Sequence, residues 1–205
     1  MGSRTFHSPL SHETIRGVQP VFRYDFNSPY AYLAAHRVDE LVPGARWQPI
    51  AFAFLLIAQE RAPWSFDLQG ERAAGVAECE RRAAERGLPP LVWPPDWPKG
   101  SYTIEPLRVA LVAEEHGLLR EYSRAAFARN FVTGTGLQGE APYELARELG
   151  FGPEPGLPAA KERLKVVTQE AIEAGVPGVP TLTRGTEHFW GDDQLEAAAR
   201  TAATG

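Results

Sequence analysis

The chemistry-bearing stretch of this chain is Tyr24-Asp25-Phe26-Asn27-Ser28-Pro29-Tyr30-Ala31-Tyr32-Leu33. An apolar run ends at Ser28-Pro29, and apolar residues at helical spacing follow it. Serine is a good N-cap because its oxygen accepts a hydrogen bond from a free first-turn N–H. Proline suits the first helical position, where its missing N–H costs nothing. Ser28 is therefore expected where a strand hands over to a helix, with a hydroxyl at the positive end of the helix dipole. That place favours negative charge, a thiolate included.

Other candidates carry less on their own. Asp192 and Asp193 open a last helix, where acids at the positive end are also plain capping residues. Val179-Pro180 stands in a Gly/Pro cluster before a strand, which by itself marks a loop. Trp93, Trp97 and Tyr102 form a proline-rich aromatic segment, read either as a wall of an apolar pocket or as a loop packed by its own rings. His36 and His188 have no triad partner that would make either a base for Ser28. Cys79, the only cysteine, sits in a charged helix and is expected to be inert. No His, Asp or Glu cluster has metal-ligand spacing.

The elements that must position these groups follow from pattern and punctuation. Val21 to Phe26 reads as a buried strand, Pro29 to Leu41 as a helix ended by Pro43-Gly44, and Arg46 to Ile50 as a second strand. This β-α-β order implies parallel pairing through a right-handed crossover. Helices are expected over Ala51–Gln59, Glu71–Arg86, Ile104–His116, Leu118–Val132, Pro142–Leu149 and Pro158–Ala174, with a Pro/Trp-rich loop from Leu88 to Gly100. A β-branched strand, a turn at Arg184-Gly185-Thr186-Glu187 and a return strand His188-Phe189-Trp190 come next. A helix to about Thr201 closes the chain.

Composition excludes several classes. The chain has 205 residues, 43% hydrophobic and 23% charged, which is the balance of a globular protein. Its net charge of -5 and the lack of a basic block argue against a nucleic-acid partner. No apolar run is long enough to span a bilayer, so no membrane partner is expected. Met1 to Pro20 is polar, without the apolar core of a signal peptide, and is expected to be a flexible arm. A single cysteine and no export signal point to a reducing, cytoplasmic compartment.

Two distant segments resemble one family. Tyr24–Leu33 is similar to the opening of 2-hydroxychromene-2-carboxylate isomerases and kappa-class glutathione transferases. Gly175-Val176-Pro177-Gly178-Val179-Pro180-Thr181, with Phe189-Trp190-Gly191-Asp192-Asp193-Gln194-Leu195, resembles their C-terminal signature. Lys99-Gly100-Ser101 running into Leu107-Arg108 fits more loosely, so the resemblance covers residues 21 to 200. It implies an α/β fold of the disulfide-oxidoreductase branch of thioredoxin-like proteins. Residues 21–50 and 176–203 would form the thioredoxin-like domain, β-α-β then β-β-α, with a mainly helical insertion over 51–175.

The resemblance also implies a site. Ser28 would replace the attacking cysteine of the redox relatives and activate the thiol of glutathione, the implied cofactor. Val179-Pro180 would be cis and face the first helix, pairing with the cysteinyl backbone. Gly191, Asp192 and Asp193 would hold the γ-glutamyl end, Asp193 matching its ammonium. The partner would be a small aromatic or electrophilic substrate, and relatives of this type are often homodimers. Three departures accompany the match. Glu105 and Pro106 stand where the isomerases carry an asparagine, no Lys-x-x-Tyr lies between Pro63 and Arg82, and Gln194 replaces a common arginine. The alternatives are a kappa-like transferase, or a catalytically inactive protein that binds a peptide or small thiol through Val179. Ser28 and Ala31, at the Cys-x-x-Cys positions, argue against a disulfide oxidoreductase.

Overall fold

The computed structural model describes residues 19–67 and 70–203. Most of the arm expected over residues 1–20 lies outside them. Four strands form one mixed sheet in the order β2-β1-β3-β4. β1 (Val21–Tyr24) pairs in parallel with β2 (Arg46–Pro49) and antiparallel with β3 (Thr181–Arg184). β3 pairs antiparallel with β4 (Glu187–Trp190). The turn between them is Gly185-Thr186, with Gly185 at a positive φ of 57° that glycine adopts without steric cost. Two chain segments more than 150 residues apart therefore share the sheet, since Phe22 stands opposite Leu182.

β1 is shorter than its apolar run. The Asp25 carbonyl accepts the Ser28 N–H at 3.1 Å and the Asp25 carboxylate accepts the Asn27 N–H at 2.9 Å, so the chain turns at Asp25. The helix expected over Pro29 to Leu41 is two, α1 (Pro29–Ala35) and α2 (Val38–Leu41). The break falls where Arg37 reaches across to Glu196 and to the Asp192 carbonyl. Helical spacing runs on through that break, because periodicity does not register a single rotated peptide.

Between β2 and β3 come α3 (Phe52–Ala58), α4 (Glu71–Glu85), α5 (Ile104–Glu115), α6 (Leu119–Phe131), α7 (Ala141–Glu148) and α8 (Leu157–Glu173). Short 3-10 turns lie at Trp64–Phe66 and Glu154–Gly156, where the sequence has no periodic signal. After β4, a 3-10 turn over Asp192–Gln194 leads into α9 (Leu195–Ala203).

The core forms where the sheet meets α1 and α6. Phe22 and Tyr24, two apart on β1, point to one face and stack at 5.5 Å. Tyr24 also packs on Trp47 of β2 and Phe127 of α6, and its hydroxyl meets Ser123 Oγ at 2.6 Å. Tyr32 of α1 reaches Phe127 and Phe131. On the opposite face Arg23 is buried and donates to Thr183 Oγ1 of β3 at 2.7 Å.

Candidate active site

The turn that delivers Ser28 is fixed from four directions. Asp25 accepts from Phe52 N–H at the start of α3 and from Thr103 Oγ1 before α5, at 3.0 and 2.8 Å. Asn130 of α6 donates to the Phe26 carbonyl at 2.9 Å. Asn27 donates to the Pro98 carbonyl, and its own carbonyl accepts from the Trp97 indole N–H, both at 3.1 Å. Ser28 is thus held by contacts from the inserted helices as well as from its own strand.

Ser28 is 8% exposed and caps α1, its Oγ accepting the Ala31 N–H at 3.2 Å. The same hydroxyl donates to the Val179 carbonyl at 3.4 Å. The Val179-Pro180 peptide is cis. The structure therefore brings together the serine and the Val-Pro step named from the sequence. A hydroxyl proton aimed at a carbonyl over 3.4 Å is weakly held, and it can turn to a stronger acceptor, such as an anion, beside the helix N-terminus.

These groups open into a cavity of about 600 Å³. Ser28, Val179, Pro180, Gly191, Asp192 and Asp193 all line it. An aromatic wall runs from Tyr30 to Trp64, 5.8 Å apart, and on to Trp97, again 5.8 Å. Trp97 and Tyr102 line the cavity, as one reading of the aromatic segment holds. Trp93 does not; it packs behind Trp97 at 4.5 Å and donates to Glu80. Trp64 seats against α4 at Gly75, where an added β-carbon would overlap the indole carbons. A helix-interior glycine costs about 1 kcal/mol relative to alanine; here it makes room for the wall.

The Gly191-Asp192-Asp193 turn divides its labour. Asp192 has no exposed surface, and Arg82 Nη1 binds its Oδ1 at 2.6 Å while Arg86 binds its Oδ2. Its carboxylate is engaged by Arg82 of α4 and by Arg86 just past the end of that helix, so it ties α4 to the turn. Asp192 lines the cavity with its turn neighbours, and each of its oxygens lies within ion-pair distance of an arginine. Asp193, its side chain 54% exposed, stands 3.8 Å from Arg82 and is the turn carboxylate open to a ligand.

Burial sets the protonation of two groups nearby. Asp25 is enclosed, which raises its carboxyl above the ordinary carboxylate value, and the N–H groups of Asn27 and Phe52 and the Thr103 hydroxyl oppose that rise. Burial likewise pushes the Cys79 thiol up to about 12, with Tyr30 beside it, in keeping with an inert cysteine. His188 is structural, its ring joined to Thr183 Oγ1 and to the Ala174 carbonyl. Glu105 pairs with Arg108 and accepts from Tyr143.

Residues 21–202 match the family described as the DSBA-like thioredoxin domain. The chain belongs to that family. Among relatives of this DSBA-like protein are two named 2-hydroxychromene-2-carboxylate isomerase. One, from Pseudomonas sp. (strain C18), is 30% identical over 190 residues, 85% of this chain and 85% of the relative. The other, from Pseudomonas putida, is 29% identical over 188 residues, 85% of this chain and 89% of the relative. A solved structure of a 2-hydroxychromene-2-carboxylate isomerase superposes with a TM-score of 0.76 at 27% identity, covering 91% of this chain and 95% of that one.

Several groups in the site of this DSBA-like protein escaped the sequence reading. Asp25 stood inside the most informative motif, but only the fold shows three donors converging on it. Trp64 belongs to a short 3-10 turn with no periodic signal. Arg61 and Arg82 lie far in sequence from the Val179–Asp193 segment they approach. A glycine inside the charged helix α4 was the one local hint of a close approach. Among the described residues no group of three or more His, Cys, Asp or Glu is placed to hold a metal ion, and no helix is long and apolar enough to cross a membrane.

Proposed function

We propose that this protein is a glutathione-dependent isomerase acting on a substrate of the 2-hydroxychromene-2-carboxylate kind, with Ser28 as the thiol-activating residue. The observation that carries the reading is the convergence of Ser28 Oγ and the Val179 carbonyl in the lining of an aromatic-walled cavity. A cavity of about 600 Å³ suits a tripeptide arm beside a small aromatic acid.

Each residue has a task that its surroundings support. The Ser28 hydroxyl rotates from the Val179 carbonyl and donates to a thiolate, and the α1 N-terminus adds its positive end; both lower the pKa of a bound thiol. The backbone of Val179 pairs with the cysteinyl unit, and Pro180 faces α1. Asp193 receives an ammonium, and Gly191, at φ 111°, gives the turn its shape. Asp192 holds the turn to α4. Tyr30, Trp64 and Trp97 stack on a planar substrate and exclude water from it. When bound, glutathione supplies a sulfur nucleophile that adds to an electron-poor carbon and leaves again, so that a double bond can turn while it is single.

The test is calorimetry with reduced glutathione, followed by an isomerisation assay. Binding in the micromolar to millimolar range, markedly weaker in Ser28→Ala, together with conversion of the hydroxychromene carboxylate, supports the reading. Binding without turnover selects a non-catalytic thiol-binding protein. Conjugation of an aromatic electrophile in place of isomerisation selects a kappa-like transferase.

A further inference from the structure

A second cavity, of about 480 Å³, opens on the other side of α3. Phe52, Ala53 and Leu56 of that helix line the first cavity, while Phe54, Ile57 and Ala58 line the second. Its opposite wall is one stripe of α8, with Leu164, Thr168 and Ile172 at helical spacing beside Lys161 and Lys165. Tyr102 and Ile104 line both cavities, so the two share a wall.

The linings differ in chemistry. The first carries Asp25, Glu71, Asp192 and Asp193 and is rich in indole and phenol rings. Among the described residues no Asp or Glu lines the second, and Phe54 and Tyr102 are its only rings. Its apolar surface is otherwise aliphatic, from Ile57, Ile104, Leu164 and Ile172. Phe54 and Ile57 are neighbours on α3, 54% and 69% exposed, so this surface reaches solvent.

Three cations line the same cavity: Arg108, Lys161 and Lys165. Arg108 holds Glu105 at 3.0 Å, and Lys165 holds Glu162 at 2.9 Å. The Lys165 hydrogen bond, with the charges of Lys161 and Arg108, keeps the Glu162 carboxyl below its ordinary value, which places all three cations at one end. No carboxylate lies within ion-pair distance of Lys161 among the described residues, and Arg108 Nε is enclosed without an acceptor among them. Three cations against two paired carboxylates leave one positive charge, in a chain whose net charge is -5.

We propose that this cavity binds an aliphatic carboxylate of medium chain length, its chain between α3 and α8 and its acid group at Arg108 and Lys161. One surplus positive charge matches one carboxylate, and an aliphatic lining without a flat ring wall favours a chain over a planar ring system. A second copy of this chain fits less well. A two-fold contact sets a patch against itself, and here it would bring like cations together. The assignment does not depend on glutathione or on the reaction proposed above.

Calorimetry with decanoate, decanamide and 2-naphthoate tests the proposal on wild type, Ile57→Glu and Lys161→Gln, both changes being at exposed positions. Decanoate binds wild type. It binds about tenfold or more weakly to Ile57→Glu, which puts an acid in the groove, and severalfold more weakly to Lys161→Gln. Decanamide is unaffected by Lys161→Gln, and 2-naphthoate is unaffected by either change. A wild type that binds no decanoate overturns the proposal, as does decanoate binding unchanged in either variant. Equal loss of acid and amide in Lys161→Gln, or 2-naphthoate weakening in step with decanoate, also overturns it. Sedimentation of the same proteins covers the remaining occupant: a wild-type dimer that Ile57→Glu dissociates would mean that a second copy fills this face, and the proposal would fall.

Discussion

The hydroxyl oxygen of Ser28 lies 3.4 Å from the carbonyl oxygen of Val179, 151 positions further along the chain. A parallel β1–β2 pair and an antiparallel β1–β3 pair make that meeting possible, because β1 ends at Tyr24, one turn before Ser28, and β3 begins at Thr181, just after Pro180. The helical insertion supplies the far wall.

Ser28 has two separable tasks, and Ser28→Ala removes both. Loss of the cap to Ala31 should lower stability by about 1 kcal/mol. Loss of a donor to a developing anion should lower kcat by about a hundredfold or more. A variant destabilised by about 1 kcal/mol but with unchanged turnover would show that the hydroxyl is a cap and nothing else. Thermal melts and the isomerisation assay measure the two effects independently.

Asp192 and Asp193 are neighbours with opposite expectations. Asp192→Ala leaves Arg82 and Arg86 facing each other without their shared carboxylate, and should cost about 3 kcal/mol. Asp193→Ala removes a half-exposed acid and should shift stability by no more than about 0.5 kcal/mol, while weakening binding of an amino-bearing thiol. Denaturant titration of both variants checks the contrast.

Gly75→Ala sets two principles against each other. Alanine favours a helix interior by about 1 kcal/mol, but its methyl group meets the Trp64 indole. Overpacking of this kind costs about 1–3 kcal/mol, so a net loss of stability is expected, with weaker binding of aromatic acids as Trp64 is displaced. A more stable variant with unchanged binding would mean that the wall gives way freely.

Asp25 gives stability a pH dependence of defined sign. Its folded-state pKa is raised above the unfolded value, chiefly by burial. The folded protein therefore holds the proton more tightly, and this contribution to stability is full below the unfolded pKa and is lost as pH rises through the folded one. Asp25→Asn lacks the titration. Wild-type stability relative to that variant should fall on moving from acid towards neutral pH, which denaturant midpoints across the range will report. A relative stability that rises with pH instead would contradict the burial account.

What could be read in the sequence was local or punctuated. Ser28-Pro29 announces a helix start through cap and ring chemistry, and Gly185 announces a hairpin. The resemblance of Tyr24–Leu33, Gly175–Thr181 and Phe189–Leu195 to one family implies the fold that the structure has. The rest depended on long-range partners. Nothing in Asp192 itself reports that Arg82 and Arg86 arrive from the C-terminal end of α4 and the residue after it, some hundred residues earlier. The α1–α2 break has no periodic signature, since Arg37 leaves the helix for contacts made by α9. Arg61 and Trp64 lie on a short irregular connection, where pattern says little and the packing of Trp190, Tyr30 and Gly75 decides everything.

The most direct measurement is a titration of the glutathione thiol, followed by ultraviolet absorbance of the thiolate, on wild type and Ser28→Ala. A free thiol ionises near pH 8.5, to about a unit. The account predicts that wild type holds the thiolate at neutral pH, with the midpoint lowered by about one unit or more, and that Ser28→Ala returns it towards the free value. A midpoint unchanged by binding, or lowered equally in both proteins, would contradict it.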